Sequence, residues 1–162
     1  MHTPHKAQHP ETGTSAASSA VTDFQFSLNC SFLSVRRGVE AVMQALSPLD
    51  LDVEECGTVE LVLAEAMNNI VEHAYPPSDE PGLIHLSCTH APDGLHVKIR
   101  DAGRPMPDGA TPIGAAAQVD VEFDDLPEGG FGWFLIKDLA KDVEYRRMND
   151  ENHLTFRLVV AI

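Results

Sequence analysis

A chain of 162 residues with 43% hydrophobic content is long enough to close one domain around a core. Its net charge of −14 argues against a surface built to neutralise nucleic-acid phosphates, and against docking on anionic membranes. Cys30, Cys56 and Cys88 are odd in number and lack metal-ligand spacing, so reduced thiols in a cytoplasmic protein are expected. No apolar run reaches the length of a membrane span, and no signal-peptide core appears.

In chain order, residues 1–20 are rich in Ser, Thr, Ala, Pro and His and lack apolar periodicity, which predicts a disordered tail before a single domain over 21–162. Residues 23–29 alternate and predict a strand. Ser31 is placed to cap a helix with Phe32, Val35, Val39, Val42, Met43 and Leu46 at helical spacing. Asp52 and Glu55 have the spacing of a capping box that opens a second helix, and Pro76 and Pro77 are set to end it. Strands are predicted at 83–90 and 95–101, joined by Ala-Pro-Asp-Gly. Residues 102–128 show no sustained periodicity, and a loop of that length is expected to be functional or mobile rather than decorative. A helix is predicted from about Gly130 to Lys141, then a terminal hairpin turning around 149–152. This order gives an α/β (α+β) two-layer sandwich, a mixed, mostly antiparallel sheet with helices on one face.

Within the second helix, residues 61–75 read LVLAEAMNNIVEHAY. Glu65, Asn69 and His73 recur every four residues and stack on a helix face. Glu65, Asn68, Asn69 and Glu72 fall on one arc, while Leu63, Ala66, Met67, Ile70, Val71 and Ala74 fall opposite. A merely solvated face favours Lys, Glu, Gln or Arg; two mid-helix Asn cost propensity and point to another demand on the position.

Two further motifs follow. Asp101-Ala102-Gly103 ends a strand whose Leu95, Val97 and Ile99 share its core face, so Asp101 is a buried-edge carboxylate able to accept from a base amino group. Gly129-Gly130-Phe131-Gly132 opens a helix, where glycine permits close backbone approach and N–H groups favour anions. Each motif alone is weak. A Glu/Asn helix, a strand-end Asp-x-Gly and a Gly-rich helix start, in that order, carry weight together.

At these residues the chain resembles the bacterial anti-sigma regulatory factor and serine-protein kinase branch of the histidine-kinase-like (GHKL) ATPase superfamily. Residues 65–75 match its N-box, Glu-Ala-x-x-Asn-x-x-x-His-x-Tyr; residues 101–103 match the G1 box, and 129–136 the G2 box. The resemblance covers about residues 22–160 and implies the Bergerat ATPase fold. It implies ATP and Mg²⁺ as cofactors, with Asn69 as the metal ligand and Asp101 as the adenine acceptor. His73, Gly103, Gly129, Gly130, Phe131 and Gly132 join Asn69 and Asp101 as nucleotide-binding positions, and Glu65 becomes the general base. Trp133 stands where the family has a smaller aliphatic residue. The acidic set Asp108, Asp120, Glu122, Asp124, Asp125 and Glu128 departs from what bound phosphates favour.

The activity implied is an ATP-dependent serine kinase that phosphorylates a STAS-type anti-anti-sigma partner and regulates transcription by partner switching. Its partners are then that STAS protein, a sigma factor, or both, with room for a homodimer. The alternative is a non-catalytic module that uses nucleotide to shape a partner-binding surface. Glu65 favours the kinase, and the acidic segment favours the module.

Overall fold

The computed structural model describes residues 23–75, 80, 82–106 and 130–160. The expected tail, Pro76 and Pro77, Gly129, and the long segment beyond Met106 lie outside the described residues. Strand β1 (Asp23–Asn29) has the predicted bounds. Ser31 caps helix α1 (Phe32–Ala45), its hydroxyl accepting from Ser34 N–H at 3.1 Å. Val35, Val42 and Leu46 are buried and Val39 and Met43 half-buried, whereas Phe32 stays exposed at the first turn.

Helix α2 (Val53–Asn69) opens on the expected capping box. The Asp52 carboxylate accepts from Glu55 N–H at 2.8 Å, and the Glu55 carboxylate accepts from Asp52 N–H at 2.9 Å. Beyond Asn69 the helix changes pitch into a π-turn over Ile70–Ala74. α2 lies between α1 and helix α3 (Gly130–Leu139) and contacts both.

Strands β2 (Leu83–Ala91), β3 (Gly94–Asp101), β4 (Lys141–Met148) and β5 (Glu151–Leu158) complete a sheet of order β1-β2-β3-β5-β4. Every described pairing is antiparallel, which narrows the expected mixed sheet. Gly94, at φ 131°, leaves the β2–β3 turn; a Cβ there would lie 2.3 Å from the Leu158 carbonyl oxygen, so only glycine fits.

Period-two alternation puts Ile84, Leu86, Cys88, Leu95, Val97, Ile99, Leu154, Phe156 and Leu158 into one core with the helices. Trp133 and Ile136 of α3 join it, so the unusual Trp133 is core. All three cysteines are free, and burial pushes the Cys30 thiol up to about 11 and Cys88 to about 12. Among the described residues no helix is long and apolar enough to cross a membrane.

Two boundaries differ from expectation. α3 stops at Leu139 rather than Lys141, because Lys141 already pairs with Arg157 and a bulge with Asp142 at φ 53° follows. The last hairpin turns on Asn149 and Asp150 alone, both at positive φ, as a type I′ turn requires. Glu151 and Asn152 therefore belong to β5, and Asn152 faces Asp101 across the β3–β5 pairing.

Candidate functional site

The core face of the sheet ends in polar residues. Asp101 and Asn152 are buried side by side on β3 and β5, and Asn69 is buried on α2. Buried polar groups need partners, and how these three find them defines the site.

The first cluster joins α2 to α3. A Cβ built on Gly132 would lie 2.6 Å from Glu65 Oε2 and 3.5 Å from Asn69 Nδ2. The first turn of α3 therefore rests on the Glu65 and Asn69 side chains, and glycine is what permits it. Asn69 is 7% exposed, and its Nδ2 is buried without a partner among the described residues. An amide left in this state costs about 1–3 kcal/mol unless a ligand completes it. As placed, the group donates; turned by 180°, it would offer an oxygen to a cation. The position therefore suits a phosphate oxygen or a metal ion. Among the described residues no three His, Cys, Asp or Glu side chains gather as a metal cage. Mg²⁺ needs none, since it takes one or two protein ligands and fills its octahedron with phosphate oxygens and water.

The second cluster surrounds Asp101. Its Oδ1 accepts from Gly103 N–H at 2.9 Å and from Asn152 Nδ2 at 2.9 Å. Burial pushes its carboxyl above the ordinary 3.8, opposed by these two bonds and by Arg147. The end of α2 reaches the same place. Arg104 N–H donates to the Ala74 carbonyl at 2.8 Å, and Ala102 N–H donates to the Tyr75 hydroxyl at 3.0 Å. A Cβ on Gly103 would lie 2.6 Å from the Ala74 carbonyl oxygen, so the Asp-x-Gly glycine is set by backbone closeness.

The predicted residues thus fall into two groups, Glu65, Asn69 and Gly132 in one and Asp101 and Gly103 in the other, with α2 reaching both. Gly130 begins α3. His73 lies in the π-turn, exposed, with Nε2 3.5 Å from Glu72 Oε2. The π-turn ends the four-residue stacking that grouped it with Glu65 and Asn69. Gly129 and the Phe131 side chain lie outside the described residues. Thr155 faces away from the core, next to Lys98 and Glu144.

Three residues escaped the sequence reading: Asn152, Tyr145 and Arg147. Asn152 Oδ1 accepts from the Tyr145 hydroxyl and from Arg147 Nη1, and Arg147 also donates to the Gly103 carbonyl at 2.7 Å. Asn149-Asp150 as a two-residue turn was the signal that would have put Asn152 into the strand.

Residues 31–158 match the family described as the histidine kinase-like ATPase domain. The chain is 34% identical over 93 residues to the serine-protein kinase RsbW of Staphylococcus epidermidis, covering 57% of each. It is 31% identical over 117 residues to RsbW of Halalkalibacterium halodurans, covering 69% of this chain and 66% of that protein. It is 33% identical over 100 residues to the serine/threonine-protein kinase BtrW of Bordetella bronchiseptica, covering 60% of this chain and 66% of that protein. The chain thus spans from 57% to 66% of the length of these relatives. Among solved structures, the RsbU and RsbW domains of Rv1364c from Mycobacterium tuberculosis align at a TM-score of 0.59. That alignment covers 85% of this chain and 32% of the other at 14% identity, a likeness of fold alone.

Proposed function

The chain belongs to the histidine kinase-like ATPase domain family, and from that premise we propose that it is an ATP-dependent serine kinase whose protein substrate is a STAS-type anti-anti-sigma partner. The observation that carries this reading is the meeting of Glu65, Asn69 and Gly132, a carboxylate, an unpartnered amide and a helix start in one place.

Phosphoryl transfer asks for positioning, charge neutralisation and a base, and little covalent work from the protein. Asp101 accepts from the adenine amino group and fixes the nucleotide's base end. Asn69 would hold Mg²⁺, which would supply charge neutralisation on the phosphates. Gly132 and the N–H groups at the start of α3 would take the phosphates, as a helix start favours anions. The Glu65 carboxylate takes the proton of the partner's serine hydroxyl. The serine oxygen bonds to the γ-phosphorus as the bond to the bridging oxygen breaks, and ADP leaves with that oxygen.

Support comes from the family match, from relatives named as serine-protein and serine/threonine-protein kinases, and from the donor set on α2. A sigma factor, released or retained according to the partner's phosphorylation, is the transcriptional end of the same proposal. The acidic residues between 108 and 128 favour a second reading, in which nucleotide only shapes a protein-binding surface.

The test is calorimetry followed by transfer. Mg-ATP binds the parent, and Asn69→Ala weakens Mg-ATP far more than metal-free ATP. Equal Mg-ATP affinity in both removes Asn69 from the site. Phosphate then appears on a serine of the STAS-type partner recovered from the source cell. Nucleotide-dependent partner binding without transfer decides for the second reading.

A further inference from the structure

Asn152 is 6% exposed on β5, opposite Asp101 in the pairing of β3 with β5. Its two amide atoms are engaged on different sides. Oδ1 accepts from the Tyr145 hydroxyl and from Arg147 Nη1 at 3.0 Å. Nδ2 donates to Asp101 Oδ1 at 2.9 Å and to the Arg104 carbonyl at 2.9 Å. Turning the amide over would set oxygen against a carboxylate and a carbonyl, and NH₂ against a guanidinium. Chemistry therefore allows one orientation. Tyr145 is fixed as well, because its hydroxyl accepts from Met106 N–H at 3.0 Å and so directs its proton at Asn152.

The consequence falls on Asp101. Its bonds from Gly103 N–H and Asn152 both land on Oδ1. None of the hydrogen bonds among the described residues lands on Oδ2.

We infer that Asn152 is a positioning residue that sets base selectivity: it commits one oxygen of Asp101 to the protein and leaves the other as an ionised acceptor for a ligand amino group. The inference rests on the reading of Asp101 as the base contact, and deepens it. Once Asn152 is removed, nothing on β5 holds the carboxylate rotamer, and a donor that favours the ionised form is lost. The groups facing Asp101 are Arg147 from β4, Glu151 from β5, Tyr75 after α2 and Cys30 between β1 and α1. Arg147 favours the carboxylate and Glu151 disfavours it, while burial favours the proton. A protonated Asp101 donates, and a 6-oxo purine accepts what a 6-amino purine cannot.

Competitive binding of ATP and ITP, from neutral pH into the acid range, reads this directly. The parent prefers ATP by about tenfold or more, and Asn152→Ala lowers that ratio at least about threefold, most at low pH. A merely structural loss weakens both nucleotides alike and leaves the ratio in place. Tyr145→Phe keeps the ring, removes only the hydroxyl that orients Asn152, and shifts the ratio in the same direction by less. It also decides the matter if Asn152→Ala does not fold. Carbon-13 titration of the Asp101 carboxyl shows its midpoint higher in both variants. An ATP-preferring parent whose ratio and midpoint do not move in the folded variants overturns the inference and spares the site. A parent that binds neither nucleotide, or both equally, overturns the inference together with the reading beneath it.

Discussion

The backbone of Gly132 lies so close to Glu65 that an added Cβ would stand 2.6 Å from the carboxylate oxygen Oε2. The atom in the way is the far end of a flexible side chain, which can swing aside at low cost. Gly132→Ala is therefore expected to fold, with helix propensity gained at the first turn of α3 by up to about 1 kcal/mol. The Glu65 carboxylate is displaced, and transfer falls by about tenfold or more, as a misplaced catalytic group demands. Thermal melting and single-turnover transfer check the two halves. A variant that is both destabilised and fully active contradicts the contact.

Gly103 presents the opposite case. Its Cβ would meet the Ala74 carbonyl oxygen at 2.6 Å, and backbone does not swing aside. Gly103→Ala is expected to destabilise the fold by about 1–3 kcal/mol, the usual cost of forced overpacking. Urea denaturation measures it, and an unchanged midpoint would show that the α2 end and the strand end are not in contact.

Asp101 makes a prediction about pH. Burial raises its carboxyl above the ordinary 3.8, so the folded chain holds this proton more tightly than the unfolded chain. The stability it contributes is full below pH 3.8 and is lost as pH rises through the raised value. Asp101→Asn removes that dependence, so the variant gains on the parent across this window. Denaturation of both proteins from acid to neutral pH shows the gain, and a constant difference contradicts it. The same variant narrows the preference for ATP over GTP, because an amide can present a donor to guanine O6.

How much of this was legible in the sequence depends on the range of each signal. β1, the Ser31 cap and the Asp52–Glu55 capping box were readable because their chemistry is local. Order along the chain suggested that Glu65, Asn69 and the Gly-rich helix start belong together. Their contact is long-range, so the sequence gives no distance. The π-turn was invisible, since Ile70 and Ala74 remain buried and keep the apolar stripe looking continuous. Four-residue spacing groups His73 with Glu65 and Asn69, and spacing alone carries no sign of the change in pitch. Asn152 was hidden because Asn and Asp are turn formers, and a broad turn over 149–152 absorbed it. Only the positive φ of Asn149 and Asp150 shortens that turn to two residues and places an amide opposite Asp101.

Glu65 carries the central claim, because it separates a kinase from a nucleotide-shaped binding module. Glu65→Gln keeps shape and hydrogen bonding and cannot take a proton. The measurement is single-turnover phosphate transfer from Mg-ATP to the STAS-type partner, with parent and variant both saturated. Transfer is expected to fall by about 10²–10⁴-fold, the usual worth of a positioned base. ATP affinity is expected to hold, since the residue acts in the transition state. Equal transfer by parent and variant would contradict the account and remove Glu65 as the base.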